Sequence, residues 1–297
     1  MTFASPAALG AALQSSGYLP DEGLATAAYL ALRMGRPLFV EGDAGVGKTA
    51  LAQALATVLD APLIRLQCYE GIDVAQAVYD WDFPRQLLHL RAAEAAGRAG
   101  DAEALEGELY SRRFLLMRPL LQAVETSPSV LLVDEVDRAD DEFEALLLEV
   151  LSDFAVTIPE IGTIRAAVPP TVVVTSNRTR DVHDALKRRC LYHWVEHPDF
   201  ARELAIVRQR HPAATEQLAA QVARATAYLR TVDLQKPPGV AETLDWTHAL
   251  LTLGVDQLDP DAVMGTLGAV LKYREDQETV TRDGGLVALL EAAAHAG

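Results

Sequence analysis

Between residues 20 and 199, short apolar runs alternate with longer segments in which apolar residues recur at helical spacing. The runs are rich in Val and Leu without polar alternation, which predicts strands that are buried on both faces. The predicted strands lie at 36–40, 62–68, 130–133 and 171–175, and the predicted helices lie at 21–35, 48–60, 84–97, 101–110 and 143–151. Strands that alternate with helices in this way predict an α/β domain whose parallel sheet is covered on both faces.

The pattern changes near residue 199, beyond which the chain is almost entirely helical and is interrupted at Pro- and Gly-containing turns. We therefore expect two domains, an α/β domain at 1–199 and an all-α domain at 200–297. Within the first domain, residues 155–166 alternate polar and apolar positions around a Glu-Ile-Gly turn, which predicts a β-hairpin. A glycine-containing break at 97–100 separates the predicted helix at 84–97 from the one at 101–110.

Composition narrows the class of protein. Of the 297 residues 50% are hydrophobic and 23% are charged, which are ordinary fractions for a folded protein and exclude a mainly disordered chain. The formal net charge is −16. The negative charge disfavours a protein that coats duplex DNA, because neutralising phosphates takes an excess of Lys and Arg. No apolar run approaches the roughly 18 residues that a membrane span needs, and we therefore expect no membrane-spanning helix. Cys68 and Cys190 are isolated in sequence, which fits two buried thiols in a reducing cytoplasm.

The strongest chemical signal follows the first predicted strand, where Gly42–Thr49 reads Gly-Asp-Ala-Gly-Val-Gly-Lys-Thr. This is the P-loop spacing, and it lies between a predicted strand and a predicted helix, as phosphate binding requires. Its glycines let backbone N–H groups surround phosphate oxygens, and the helix N-terminus adds a positive dipole. We expect Lys48 to reach the β- and γ-phosphates of a nucleotide and Thr49 to bind Mg²⁺. The alternative interpretation is a glycine-rich turn with a surface lysine. The residues expected to contact the nucleotide are Gly42, Asp43, Ala44, Gly45, Val46, Gly47, Lys48, Thr49 and Ala50.

Two adjacent carboxylates, Asp134 and Glu135, follow the buried run at 130–133. Ligands of open α/β sheets bind at the carboxyl ends of the strands, so both side chains are expected at the nucleotide. Asp134 is expected in the Mg²⁺ shell, and Glu135 is expected to polarise a water for attack on the γ-phosphate. The alternative is a strand that runs into an acidic, solvated turn. No Asn-Lys-x-Asp sequence that reads guanine is present, which disfavours a GTPase.

Two weaker signals follow in the chain. Asn177 ends the predicted strand at 171–175, where its amide is expected to contact the attacking water or the γ-phosphate, unless it is only a turn former. The run Lys-Arg-Arg at 187–189 contains a candidate arginine finger, since Arg suits the charge on a transferring phosphoryl group. The alternative for this run is a solvated helix end, which basic side chains favour.

The order of these motifs, with a helical region after them, resembles an AAA+ ATPase over residues 20–297. The run Asp-Glu-Val-Asp-Arg-Ala at 134–139 and the Glu- and Leu-rich helix after it are similar to the MoxR group. Segments 62–71, 81–88 and 185–194 look more narrowly like its CoxD-type branch. The resemblance implies the three-layer α/β fold of a P-loop NTPase, with a parallel sheet core, followed by an all-α lid domain.

The resemblance also implies roles for individual residues. In its terms Lys48 and Thr49 belong to Walker A, Asp134 and Glu135 to Walker B, and Asn177 is sensor 1; the finger is Arg189, with Arg188 the second candidate. It implies a homo-oligomeric ring, a hexamer, with ATP between subunits. It places an insert in the second helix at about 70–113 and a hairpin before sensor 1 at about 155–166.

The chain departs from the MoxR pattern where many members carry a Pro-Arg-Ala sensor 2. Here the matching segment at 236–241 reads Lys-Pro-Pro-Gly-Val-Ala and has no arginine. Either Lys236 substitutes, or the backbone N–H groups of a helix that begins at Gly239 meet phosphate. His193 and His197 are four residues apart, but no third ligand or His-Glu-x-x-His pattern supports a zinc site.

Taken together, the motifs predict a Mg²⁺-dependent ATPase, and the resemblance implies that it remodels or matures a client protein or enzyme complex. The resemblance implies a von Willebrand A-domain partner and, for CoxD-type proteins, a role at the active site of carbon monoxide dehydrogenase. A DNA-linked AAA+ motor or loader and a nucleotide-gated binding switch with little turnover are the alternatives. Residues 134–153 hold nine acidic residues and one basic residue, and we expect this segment to form an acidic surface that faces a client or a neighbouring subunit.

Overall fold

A computed structural model describes residues 3–96, 102–282 and 284–294. The predicted break at 97–100 and residue 101 lie outside the described residues. The strands are β1 Leu38–Gly42, β2 Leu63–Gln67, β3 Tyr79–Trp81, β4 Leu115–Met117, β5 Val130–Asp134, β6 Ala155–Ile158, β7 Gly162–Arg165, β8 Thr171–Ser176 and β9 Leu191–Val195. The helices are α1 Pro6–Ser15, α2 Glu22–Met34, α3 Lys48–Leu59, α4 Val74–Ala77, α5 Phe83–Ala95, α6 Ala102–Leu109, α7 Pro119–Glu125, α8 Asp141–Asp153, α9 Asp184–Arg189, α10 Phe200–Arg210, α11 Glu216–Leu229, α12 Val240–Thr252, α13 Pro260–Val270, α14 Arg274–Thr281 and α15 Gly285–Ala294, with short 3-10 turns at Arg112–Phe114 and Val136–Arg138.

The chain divides into two compact units. The first unit consists of Met1–Leu9, Glu22–Glu41 and Ala52–His193, and the second unit consists of Gly10–Asp21, Gly42–Leu51 and Trp194–Gly297. No helix among the described residues is both long and apolar enough to cross a membrane.

A five-stranded sheet in the order β2-β5-β8-β1-β9 forms the centre of the fold. Strands β2 and β5, β5 and β8, and β8 and β1 pair in parallel, so these four strands end at the same edge. Every residue of β1 and β5 is buried, as expected for strands of a parallel sheet covered on both faces. The polar residues that follow the strands are therefore collected at one edge of the sheet.

The core of the first unit lies between the sheet and its helices. Apolar residues from the strands interdigitate there with α7 and α8. The principal contributors are Phe39, Leu131, Val133, Val172, Val174, Leu120, Leu121, Phe143 and Leu147. Asp140 caps α8 by accepting the backbone N–H of Phe143 at 2.9 Å, and the helix therefore starts directly after the polar segment that follows β5.

Residues between β2 and β5 form a small substructure of the first unit. Strands β3 and β4 pair antiparallel, and Trp81 packs edge-on against Tyr110 with ring centroids 5.2 Å apart. Helix α5 nevertheless leaves three apolar side chains exposed, Phe83, Leu87 and Leu88. Strands β6 and β7 form a second antiparallel hairpin after α8.

The C-terminal part of the second unit is helical, from α10 to α15. Its core includes Trp246, which is fully buried and donates its indole N–H to the Thr266 hydroxyl at 2.7 Å. A buried ion pair also lies here, because Arg230 donates to both carboxylate oxygens of Glu203 at 2.6 and 2.7 Å. Arg230 also donates to the carbonyl of Pro238, which fixes the segment that leads into α12.

Candidate active site

The loop that follows β1 contains two residues in the left-handed region. Gly45 has φ of +81° and Gly47 has φ of +97°, values that residues with a Cβ rarely adopt. A Cβ at Gly45 would in addition meet Oε2 of Glu242 at 2.8 Å. Backbone conformation thus favours glycine at both positions, and at Gly45 the close approach of α12 within the second unit adds to this preference.

Lys48 is the first residue of α3 and is buried, with 6% of its surface exposed. Its ammonium group donates to the carbonyl oxygens of Gly42 at 2.6 Å and Asp43 at 2.7 Å. The first N–H groups of a helix have no partner within that helix, and α3 is 12 residues long. A buried cation beside a helix N-terminus is a donor set that suits the anionic oxygens of a nucleotide.

The first turn of α12 lies against this loop. The backbone N–H of Ala241 donates to the carbonyl of Gly45 at 3.1 Å. The N–H of Gly239 donates to Glu242 at 2.9 Å, which is the one half of a capping box that a glycine at the N-cap allows. One alternative from the sequence is that the N–H groups at Gly239 contact phosphate. In the structure the N–H of Gly239 donates to the Glu242 carboxylate instead. Lys236 precedes the helix, and its backbone N–H is bound by Asp276.

Asp134 is the last residue of β5, and its side chain is 3% exposed. One carboxylate oxygen accepts the Thr175 hydroxyl at 2.6 Å, and the other accepts the Arg65 guanidinium at 2.6 Å. Thr175 lies on β8 and Arg65 on β2, the two strands that flank β5. The carboxylate is therefore held from both sides of its strand.

Glu135 adopts the left-handed conformation, with φ of 55° and ψ of 52°. This conformation is strained for a residue with a side chain, and it persists because the surroundings determine it. The Glu135 N–H donates to the Thr175 hydroxyl at 2.9 Å. Its carboxylate accepts the Asn177 amide at 3.0 Å on one oxygen and the Gln67 amide at 2.9 Å on the other. Strain of this kind collects at functional sites.

The structure thus brings Asp134, Glu135 and Asn177 together in the first unit, while Lys48 and Thr49 lie in the second unit. An ionised carboxylate accepts hydrogen bonds only, so Glu135 keeps lone pairs for a further donor such as water. The carboxyl ends of parallel strands and the loop after β1 are where open α/β sheets bind ligands.

Arg188 and Arg189 are exposed residues at the end of α9. The guanidinium of Arg189 donates to the Ser152 hydroxyl. Arg36, just before β1, donates to the carbonyl oxygens of Arg189 at 3.0 Å, Arg188 at 2.6 Å and Cys190 at 3.2 Å. These carbonyls are the unpaired acceptors at the helix C-terminus, and Arg36 therefore fixes the end of the helix that carries both finger candidates.

Gln67, Thr175 and Arg65 were missed by sequence reasoning. Each contacts Asp134 or Glu135 from a neighbouring strand, and the signal that identifies them is strand register. The Cα of Gln67 lies opposite that of Asp134, and Val174, just before Thr175, lies opposite Val133. That register depends on the strand order, which local sequence patterns do not reveal.

The acidic segment at 134–153 is only partly a surface. Asp137 and Glu144 are buried. The carboxylate of Asp137 accepts the Thr179 hydroxyl, and the carboxylate of Glu144 accepts the backbone N–H of His183. Burial acts to raise the pKa of Asp137, but hydrogen bonds from Thr179 and from the backbone N–H of Asn177 outweigh it and lower that pKa. The expectation of one acidic docking face is corrected to this extent, because these carboxylates tie the segment after β5 to the segment after β8.

Both cysteines are buried, unpaired thiols. Burial raises the pKa of Cys68 to about 12, with the negative charge of Asp134 adding to the effect. Burial likewise raises the pKa of Cys190 to about 12, against the opposing charge of Arg36. In the part of the chain that the structure describes, no group of three or more His, Cys, Asp or Glu side chains is placed to hold a metal ion.

Comparison with known proteins agrees with this geometry. The model of the family described as AAA ATPase domain matches residues 22–155, which include the P-loop and both carboxylates after β5. No curated protein matches the chain.

Solved structures similar to the chain include the RuvB Holliday junction branch migration motor of Thermotoga maritima, at 17% identity and a TM-score of 0.45, over 81% of this chain and 65% of that one. Domain III of the replication initiation protein DnaA from the same organism is 16% identical, with a TM-score of 0.48, over 86% of this chain and 95% of that one. The chain therefore spans about two thirds of the length of that RuvB chain. The protein has the α/β P-loop fold of AAA+ ATPases, with the sheet order β2-β5-β8-β1-β9 and a helical C-terminal region.

Proposed function

We propose that this protein is an AAA+ ATPase that hydrolyses ATP in a Mg²⁺-dependent reaction, with Glu135 as the base that activates water. The observation that carries the proposal is the strained Glu135 backbone together with the two amides, from Asn177 and Gln67, that hold its carboxylate. A residue that only ends a strand does not need this support. A general base needs a fixed direction, because proton transfer requires hydrogen-bond reach to the water.

The residues present fit ATP and Mg²⁺ chemically. In the second unit, Lys48 and the N–H groups at the start of α3 would supply positive groups for the phosphates, and the Thr49 hydroxyl would supply an oxygen ligand for Mg²⁺. In the first unit, Asp134 would supply a carboxylate ligand for Mg²⁺. Bound metal would offset the negative charge of the phosphates and so favour attack by water. Asn177 donates to one oxygen of Glu135 and would so orient this carboxylate toward the water whose proton it accepts.

The first test is phosphate release under steady-state conditions, with and without Mg²⁺. Wild-type protein is expected to release phosphate only with the metal. Lys48→Ala is expected to lose nucleotide binding, since its ammonium is the buried cation of the loop. Nucleotide binding without turnover in any condition would instead support a nucleotide-gated switch. Stimulation by DNA that disappears with added salt would support a DNA-linked motor or loader.

We propose further that the protein acts as a homo-oligomeric ring, a hexamer, in which Arg189 reaches the ATP of a neighbouring subunit. Its position at an exposed helix end, held by Arg36, supports this role, and Arg188 beside it is the second candidate. Arg189→Ala is expected to bind ATP without hydrolysing it. Mixing it with Lys48→Ala protein should restore part of the turnover, because an intact finger then meets an intact nucleotide site. The matched variant Arg188→Ala decides between the two arginines, and absence of complementation in both would contradict a shared site.

The proposed biological role is that of a MoxR-type chaperone, which remodels or matures a client protein or enzyme complex. The three exposed apolar side chains of α5, Phe83, Leu87 and Leu88, support a protein-binding surface in the insert at 70–113. A von Willebrand A-domain protein is the proposed partner. Affinity capture with Glu135→Gln protein and ATP is expected to retain it, and the same capture with Lys48→Ala is the control. Equal recovery with both variants would separate partner binding from the nucleotide cycle.

A further inference from the structure

We propose that Arg65 competes with the divalent metal ion for Asp134 and so sets the metal concentration at which the hydrolytic site assembles. The proposal rests on the proposed function, because the metal ion in question is the one that Asp134 would hold. Arg65 is a cationic side chain that lies outside both the P-loop motif and the acidic motif after β5.

The geometry is that of a long side chain reaching along a strand pair. Arg65 lies on β2 with its Cα opposite that of Leu132, two residues before Asp134 on β5. Its guanidinium nevertheless contacts Oδ2 of Asp134 at 2.6 Å. The two partners differ in their surroundings, since 3% of the Asp134 side chain is exposed and 53% of the Arg65 side chain is exposed. The carboxylate is fixed, whereas the guanidinium has solvent to move into.

The two Asp134 oxygens differ in how readily they exchange their partner. The other accepts the Thr175 hydroxyl at 2.6 Å, and that hydroxyl oxygen in turn accepts the N–H of Glu135 at 2.9 Å. Turning Thr175 away would break both hydrogen bonds within a buried site. The oxygen bound by Arg65 is therefore the one at which the guanidinium would compete with a metal ion, because a monovalent and a divalent cation at the same oxygen repel each other.

The same guanidinium is connected to the proposed base. Arg65 donates to the side-chain oxygen of Gln67 at 2.6 Å, and the Gln67 amide nitrogen donates to Glu135 at 2.9 Å. An amide whose oxygen is held in this way presents its NH₂ group to the carboxylate. Displacing Arg65 thus also removes a hydrogen bond from the amide of Gln67, and metal arrival is coupled to the support of the base.

A purely positioning role for Arg65 makes the opposite prediction. If the guanidinium served to hold Asp134 in its metal-binding orientation, removing it would weaken metal binding. If it competes with the metal, removing it strengthens metal binding. The sign of the change in metal affinity therefore decides between the two roles, independently of any effect on turnover.

The experiment measures binding of Mn²⁺ to the protein with saturating ADP, from the electron paramagnetic resonance signal of free Mn²⁺. Arg65→Gln is expected to bind Mn²⁺ about tenfold more tightly than wild type at low salt. Arg65→Lys keeps the charge and should stay close to wild type. The gap between wild type and Arg65→Gln should shrink as salt rises, because a half-exposed charge is screened. The Mg²⁺ concentration for half-maximal phosphate release is expected to fall by the same factor.

Equal or weaker Mn²⁺ binding by Arg65→Gln would overturn the competition, as would an equally strong increase in Arg65→Lys. Circular dichroism checks the folding of each variant. Arg65→Met, which keeps the length of the side chain without its charge, gives the same test should the Gln variant not fold. Failure of the wild type itself to bind Mn²⁺ and ADP would instead refute the proposed function, so the two failures are distinguishable.

Discussion

Replacing Thr175 with Val tests how the two carboxylates after β5 are supported. The hydroxyl of this buried residue accepts the Glu135 N–H at 2.9 Å and donates to Asp134 at 2.6 Å. Val has nearly the same shape, so the change removes both hydrogen bonds without opening a cavity. A buried N–H left without a partner costs about 1–3 kcal/mol, and a lost hydrogen bond to a charged group about 1.5–3 kcal/mol.

Because the two effects share one atom and are not additive, we expect a loss of about 2–4 kcal/mol in the free energy of unfolding of the first unit. For a unit of this size each kcal/mol lowers the melting temperature by about 2–4 °C, so the midpoint falls by about 4–16 °C. Turnover should fall roughly 10- to 100-fold, since the strained Glu135 backbone loses one of its constraints. Differential scanning calorimetry and phosphate release measure the two effects.

The matched control is Thr175→Ser, which keeps the hydroxyl and loses one methyl group. It should cost about 1 kcal/mol and leave turnover close to wild type. A Val variant as stable and as active as the Ser variant would show that the hydroxyl supports neither carboxylate, and the reasoning about Glu135 would be refuted.

Three further changes test other parts of the structure. Arg36→Ala should lower turnover roughly tenfold, because α9 loses its C-terminal donors, while Arg36→Lys recovers part of it; unchanged phosphate release would contradict this. Asp137, whose pKa is lowered by hydrogen bonds that outweigh burial, stabilises the fold above pH ~4 and loses this effect as pH falls through the lowered value. The melting temperatures of wild type and Asp137→Asn should thus differ by a constant amount from pH ~7 to ~5 and converge in stronger acid, and a gap that widens there would exclude this role. Arg230→Met leaves Glu203 buried without its cation and should lower the free energy of unfolding of the second unit by about 3–5 kcal/mol in calorimetry. The double variant with Glu203→Met should recover most of this loss. A single variant as stable as wild type would show that the unpaired carboxylate carries no such penalty.

Local sequence patterns predicted four of the five strands of the central sheet, because their signals are contained within a few residues, but they missed β9 and α7. The Val-Leu-Leu-Val run became β5, and the P-loop lies between a strand and a helix. The strand at 36–40 was displaced, since β1 runs on to Gly42 through its parallel pairing with β8. Propensity alone stops at Val40, whereas the sheet register carries Glu41 into the strand opposite Ser176.

The supports of the candidate site were less predictable. Gln67 and Thr175 have ordinary polar side chains in apolar surroundings, and their contacts follow from which strands are neighbours. The left-handed backbone of Glu135 is equally invisible in sequence, because Glu has no preference for that conformation. What sequence reasoning identified were the residues whose chemistry is written in a motif, and what it missed were the residues that hold them in place.

Turnover and nucleotide binding of Glu135→Gln, measured on one preparation, test the central claim most directly. Gln is nearly isosteric, keeps one oxygen that can accept either the Asn177 or the Gln67 amide, and has no carboxylate to accept a proton. We expect ATP affinity within about threefold of wild type and phosphate release lowered by about 10²–10⁴-fold, the usual contribution of a general base. Wild-type phosphate release by this variant would contradict the assignment of Glu135 as the base.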